Sequence, residues 1–178
     1  SNQNLWDKML SNIDDIEFEK NKLSTASYRP FSKINLFKDK RTIYRRGKWD
    51  EFIVSNNENR FISIVGVGTN KGFSVLITPN ITDYQFEQNN QCFPLHYFEE
   101  RDKKTPDLFE AAGDSKFIKR DGVSDFIHRQ ARDKYEIRVA KEDIFYYVYG
   151  ILHSPDYRTT FANDLKKMLP RISLVDKS

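Results

Sequence analysis

The stretch Glu142-Asp-Ile-Phe-Tyr-Tyr-Val-Tyr-Gly-Ile-Leu-His-Ser-Pro-Asp-Tyr-Arg158 holds two helices and the break between them. Ile144, Phe145, Val148, Ile151 and Leu152 recur at helical spacing, so the first helix carries an apolar stripe that must be buried against another element. Ser154 is suited to cap a second helix, Pro155 to occupy its first position and Asp156 to face the positive end of its dipole. Tyr157, Phe161, Leu165 and Leu169 continue that second stripe towards Pro170, where the pattern must stop. Upstream, Ser124 caps a further helix expected to run to about Tyr135. Three helices therefore close the chain and need a partner surface.

That surface is expected from the residues before them. Phe61 to Val67 is a continuous apolar run, and Phe73 to Ile77 answers it across a glycine-rich connection. Ile34 to Phe37 and Thr42 to Tyr44 read as short strands around a charged Lys38-Asp39-Lys40 turn. Ile81 to Phe86 alternates like a strand, and Cys92 to Phe98 reads as the strand ending the sheet. The fold class is α+β, a twisted and mostly antiparallel sheet followed by a carboxy-terminal three-helix segment. Residues 1–27 read as a linking helix after a Ser1-Asn2 that has the look of a cloning remnant, with a loop at 24–27. Residues 28–98 form the β-rich portion, 99–122 a loop or insertion with one helical turn near Leu108 to Ala112, and 123–178 the helical portion. The opening inside a helix reads as a piece of a longer polypeptide.

The whole-chain net charge of +3 conceals a segregation. Between Tyr28 and Lys48 stand Arg29, Lys33, Lys38, Lys40, Arg41, Arg45, Arg46 and Lys48 against Asp39 alone, which leaves the remainder of the chain net acidic. Such a run concentrates a polyanion at one face. Tyr28, Phe31, Phe37, Tyr44 and Trp49 interleave it. Two readings stand together, phosphate contact by the cations with base or sugar packing by an aromatic, or a solvated basic face over core aromatics.

Several chemistries are excluded. Cys92 is the single cysteine, so the chain has no internal disulfide and no multi-cysteine zinc site, and a reducing cytoplasm is the expected compartment. His96, His128 and His153 lack metal-ligand spacing. No apolar run approaches the roughly 20 residues of a membrane span. Gly66-Val-Gly-Thr-Asn-Lys-Gly72 is not a P-loop, because Lys71-Gly72 is followed by Phe73 and a strand instead of Ser or Thr and a helix. Its glycines fit a tight connection whose tip, Thr69, Asn70 and Lys71, offers side chains able to reach base edges, or else a plain solvated hairpin. Pro106-Asp107 with Asp114-Ser115-Lys116 has the letters of a metal-dependent nuclease at a spacing too short for its strands. No methyltransferase, helicase or nucleophile motif is present, so no catalysis is expected of this chain alone.

The helical stretch quoted above, the Leu169-Pro-Arg-Ile172 after it, the Tyr28-Arg-Pro-Phe31 element with its following Tyr44-Arg45, and Phe93-Pro-Leu95 together resemble the carboxy-terminal target recognition domain of type ISP and type IIG single-polypeptide restriction-modification enzymes. The resemblance is strongest at the end of the chain and fades in 99–122. It implies sequence-specific binding of double-stranded DNA on behalf of upstream methyltransferase and nuclease domains. Their cofactors would be S-adenosylmethionine and Mg²⁺, with ATP in type ISP members, and the fragment itself would hold none. On this reading Lys38, Lys40, Arg41, Arg45, Arg46 and Lys48 contact phosphates, and Thr69, Asn70 and Lys71 are the first base-contact candidates. Tyr146, Tyr149 and His153 are expected to pack rather than reach DNA. The alternatives are a protein-interaction domain and a single-stranded nucleic-acid binder.

Overall fold

The computed structural model describes residues 16–39, 41–42, 59–100, 117–135 and 138–176. After a short 3-10 turn at Lys20–Lys22, strand β1 (Leu23–Arg29) turns back into β2 (Ser32–Phe37). β3 (Phe61–Ile64), β4 (Val75–Thr78) and the two-residue β5 (Ile81–Thr82) follow, then β6 (Gln91–Pro94), β7 (His96–Glu100) and β8 (Phe117–Asp121). Among the described residues the helices are α1 (Asp125–Lys134), α2 (Lys141–His153) and α3 (Pro155–Thr160). Among the described residues the strands form three small sheets, ordered β2-β1-β5, β4-β3-β6 and β7-β8, and their pairings are antiparallel except β1 with β5. The arrangement is α+β, as the patterning predicts.

β3 is the centre of the fold. It pairs on both edges, and all four of its residues are buried. Ile62 and Ile64 point to one face, where they meet Val75, Leu95, Phe145 and Leu152 in the main core. Both α2 residues of that group belong to the stripe read from the sequence, so the helix is held by the apolar face it must hide. A strand covered on both faces reads as an unbroken apolar run, which is why Phe61 onward is so legible. The sheets are joined by polar contacts as well. Ser27 of β1 shares a buried 3.1 Å hydrogen bond with Thr78 of β4, and Asn80 donates to the same Ser27 hydroxyl at 3.3 Å. The Asn59 side chain donates to the His96 carbonyl at 2.7 Å and accepts from the His96 amide at 3.1 Å, fixing the kink at Leu95 that separates β6 from β7.

The helix ends behave as their residues dictate. The Ser124 hydroxyl accepts from the Ile127 amide at 3.4 Å, and Ser154 from the Tyr157 amide at 3.3 Å, with Pro155 opening α3. The Asp143 carboxylate accepts from the Ala140 amide at 2.8 Å at the start of α2. His128 Nε2 lies 2.8 Å from the Val139 carbonyl oxygen, tying α1 to the entry of α2. The chain after α3 is then strapped back by tyrosines. Tyr157 donates to Arg171 O at 3.1 Å, Tyr147 to Ser173 O at 2.7 Å and Tyr135 to Val175 O at 2.5 Å.

Five sequence expectations are corrected. Residues 24–27 are not a loop but the middle of β1, paired residue by residue with β2. The strand at Ile81 ends after Thr82, because the Phe86 amide bonds back to the Asp83 carbonyl at 2.9 Å and starts a looped segment. The chain from Cys92 to Phe98 is two strands, and the second is not the last, since β8 pairs with it from within the stretch read as insertion. The final helix stops at Thr160, and residues 161–167 continue as turns in which the Phe161 carbonyl accepts from both Asp164 and Leu165. Thr42 lies in a turn rather than a strand. The amino-terminal helix up to Asp15, the rest of the Thr42 to Tyr44 strand and the turn at Leu108 to Ala112 lie outside the described residues.

Candidate nucleic-acid interface

The β1-β2 hairpin has a two-residue tip, Pro30-Phe31, between the paired Arg29 and Ser32. Proline at the first central position with φ of +67° at Phe31 is the signature of a type II turn. Glycine is the usual second residue, and a side chain in the left-handed region costs about 1–2 kcal/mol. The register slips by one between Ser27 and Arg29, which makes Tyr28 the extra residue of a bulge. That bulge accommodates a turn whose twist does not match the strands, and it re-aims the neighbouring side chains. Arg29 folds over the Tyr28 ring, 4.0 Å from its centre, and reaches Asp83 at 3.0 Å. The hairpin tip is thereby fastened to the segment after β5.

That segment, 83–90, is held by its own hydrogen bonds. The Asp83 carboxylate accepts from the Gln85 amide at 2.8 Å, Gln85 Nε2 donates to Asn89 Oδ1 at 3.1 Å, and the Asn90 amide reaches Tyr84 O at 3.1 Å. Gln88 and Asn89 both have positive φ, 74° and 50°. Two successive non-glycine residues in this region mark a backbone fixed by its surroundings. The surroundings are the loop 66–72. The Gly66 amide donates to Gln88 O at 3.1 Å, and a Cβ at Gly66 would stand 2.2 Å from Asn89 O, so only glycine permits this approach.

The loop 66–72 is anchored on its other side too, through Gly68 N–H to Lys166 O at 3.2 Å. Thr69 is half-buried, whereas Asn70 and Lys71 are exposed. Hairpin tip, loop 66–72 and segment 83–90 converge on a cleft of about 380 Å³ lined by Arg29, Lys71, Ser74, Gln85, Glu87 and Gln88. Glu87 is 5% exposed. Burial pushes its carboxyl above the usual range, opposed by the Ser74 and Ser63 hydroxyls and by the charges of Lys71 and Arg158. Two cations, two amides and one buried carboxyl thus share one lining, a surface able to meet phosphate and base edges together.

The residues named from the sequence fall in different places. Lys71 lines the cleft and Asn70 stands beside it in the chain. Arg41 grips Asp39 with its Nε at 3.0 Å and its amide at 2.9 Å, while Lys22 takes the other Asp39 oxygen at 3.0 Å. The Arg41 side chain and amide, with Lys22 beside them, hold the Asp39 carboxyl far below its ordinary range. The one carboxylate of the basic run is thus structural and bears two cations. The Lys38 amide bonds to Lys22 O at 2.8 Å. Lys40, Arg45, Arg46 and Lys48 lie outside the described residues. Tyr149 packs edge-on against His153 at 4.6 Å, and Tyr146 against Phe145 at 5.6 Å. Sequence reasoning counted Arg29 only as one cation of the basic run, and read 83–86 as the end of a strand without naming segment 83–90 as part of a site. The available signal was the amide density of Gln85-Phe-Glu-Gln-Asn-Asn-Gln91.

A family model described as the type ISP C-terminal specificity domain matches residues 2–178. The chain belongs to that family. Among solved structures, this specificity domain is similar to part of the DrdV-DNA complex, at 24% identity and a TM-score of 0.72 over 88% of this chain and 14% of that one. It is similar to part of the ATP-dependent type ISP restriction-modification enzyme LlaBIII bound to DNA, at 23% identity and a TM-score of 0.72 over 96% of this chain and 11% of that one. A nuclease-deletion mutant of the type ISP enzyme LlaGI, in complex with a DNA substrate mimic, matches at 29% identity and a TM-score of 0.64 over 89% of this chain and 12% of that one. The specificity domain therefore spans a small fraction of each of these chains. Comparison with curated protein sequences gave no match.

Proposed function

We propose that this specificity domain reads a sequence in double-stranded DNA for the catalytic domains of a type ISP or type IIG restriction-modification polypeptide. The observation that carries the reading is the convergence of three loops on one cleft whose lining combines Arg29 and Lys71 with Gln85 and Gln88. Long cations neutralise phosphates and set the register, while amide side chains offer paired donors and acceptors to base edges. Lys38, Lys40, Arg41, Arg45, Arg46 and Lys48 would extend the positive track, with Thr69, Asn70 and Lys71 placed for base contact. The matched structures, whose chains are complexed with DNA or a DNA mimic, support the same partner.

The polypeptide carrying this domain would supply S-adenosylmethionine-dependent adenine methylation and Mg²⁺-dependent cleavage, with ATP-driven translocation if it is a type ISP member. Its compartment would be the cytoplasm. The domain itself orients and selects and performs no bond chemistry.

Fluorescence anisotropy on duplex and single-stranded oligonucleotides over a salt series tests this. Duplex binding should dominate, and Arg45→Ala/Arg46→Ala and Lys71→Ala should each lower affinity and flatten the salt dependence. Preference for unpaired strands would identify a single-strand binder instead. Absence of nucleic-acid binding at low salt would leave a protein-interaction domain.

A further inference from the structure

Phe31 is 102% exposed, the most exposed of the large apolar side chains among the described residues. It is also held there against local preference. Pro30 fixes the first half of the turn, and Phe31 takes the left-handed φ of +67° that glycine would adopt without strain. An apolar ring in water on a strained backbone gains nothing for the isolated fold, so its use lies in what it meets.

The setting indicates the partner. Arg29 precedes the tip and Lys33, also exposed, follows it, while the cleft lined by Arg29, Pro30 and Lys71 opens beside it. Arg29 is partly neutralised by Asp83 and by its place over the Tyr28 ring, so its guanidinium is oriented rather than free to swing. An apolar wedge flanked by cations at the end of a narrow two-stranded ribbon matches a base step within a phosphate frame. On a duplex the cations would take the strands on either side and the ring would unstack the bases between them.

We propose that Phe31 is an insertion residue, which enters the base stack of bound duplex DNA and opens one step while the cleft residues read the neighbouring base edges. The inference rests on the duplex-binding reading above and adds a deformation of the DNA at a defined point. Part of the selectivity would then come from how easily that step unstacks, with flexible pyrimidine–purine steps favoured.

The test begins by selecting duplexes from a randomised pool with the 178-residue chain. 2-Aminopurine is then placed at each position of a selected duplex in turn. The wild-type chain should raise fluorescence severalfold at one step. Phe31→Gly should abolish that rise and weaken binding by about 10-fold, the loss of one stacked contact, without altering the salt slope. Its melting temperature should equal or exceed that of the wild type, because glycine relieves the turn, and Phe31→Trp should retain both binding and unstacking. Unstacking at no position, or Phe31→Gly binding and unstacking like the wild type, overturns the insertion role while leaving duplex recognition intact. Failure of the wild-type chain to select any duplex removes the reading on which the role rests, and the role with it.

Discussion

Gly66 and Asn89 touch so closely that a single methyl group at position 66 would fall 2.2 Å from the Asn89 carbonyl oxygen. The contact joins the loop after β3 to the strained corner at Gln88 and Asn89, and the Gly66 amide closes it with a 3.1 Å bond to Gln88 O. Gly66→Ala must push the two segments apart. Thermal denaturation should show a loss of about 1–3 kcal/mol, in the range of an overpacked site. In the same variant, duplex affinity should fall while Gly72→Ala, whose added Cβ meets nothing within 4 Å, leaves both properties near wild type.

Glu87 is a second test of this corner. Burial raises its carboxyl pKa, so the folded state ionises it less readily than the unfolded chain does. Stability is therefore withdrawn as pH rises from the ordinary value of 4.5 through the folded value, and at neutral pH the group opposes folding. Glu87→Gln keeps the shape and removes the charge. A higher melting temperature at pH 7, together with tighter duplex binding from the lost negative charge in the cleft, is the expected result, and calorimetry with anisotropy measures both.

The histidines give the opposite slope. Burial, aided by Lys119, lowers the His96 pKa against the pull of Asp121 and Glu142, and burial with Arg158 lowers that of His153. Both are held neutral in the fold more strongly than in the unfolded chain. Their contribution is complete above the ordinary value of 6.5 and is lost as pH falls from there through the folded values. Melting temperature should decline from pH 7 towards pH 5, and a His96→Gln/His153→Gln variant should flatten that decline. At lower pH a further loss follows. Asp39, paired with Arg41 and Lys22, and Asp121, paired with Lys141, have lowered pKa values, so their support disappears as acid protonates them.

Tyr147 holds the chain end with one hydroxyl, donating to Ser173 O at 2.7 Å and accepting from the Val175 amide at 3.0 Å. Tyr147→Phe leaves the ring and removes both bonds. Each is worth about 0.5–1.5 kcal/mol, so global stability should drop modestly. Hydrogen exchange should show the larger change, faster exchange confined to residues near 173–175.

What the sequence disclosed depended on whether a residue's signal was local. Ser154 and Pro155 specify a helix start from within one turn, and the structure has it there. Phe61 to Ile64 announces a strand because both its faces are covered. Leu23 to Arg29 announces nothing, since its Ser-Thr-Ala-Ser centre becomes strand only through pairing with β2 and burial of Ala26 and Ser27. Phe117 to Asp121 is similar, a largely exposed polar strand defined by its partner β7. The regular apolar spacing through Phe161 and Leu165 exaggerated the last helix, because turns with mixed hydrogen bonding also place apolar side chains on one side. Of the residues lining the cleft, Lys71 was named from its loop's composition. Segment 83–90 was not, because its shape comes from left-handed residues locked by a neighbouring glycine.

The tyrosine strap has a consequence for how such a chain can change over generations. The hydroxyls of Tyr135, Tyr147 and Tyr157 grip the carbonyls of residues 171, 173 and 175, which every amino acid supplies, and the amide of 175, which every one but proline supplies. Arg171 and Ser173 can thus change identity without losing these bonds, while Lys134, with a 2.7 Å bond to Leu174 O, and Ile172, packed on the core, add to the hold on the segment. A segment fastened through its main chain in this way keeps its place while the side chains along it, and those of the loops lining the cleft, are rewritten for a new target.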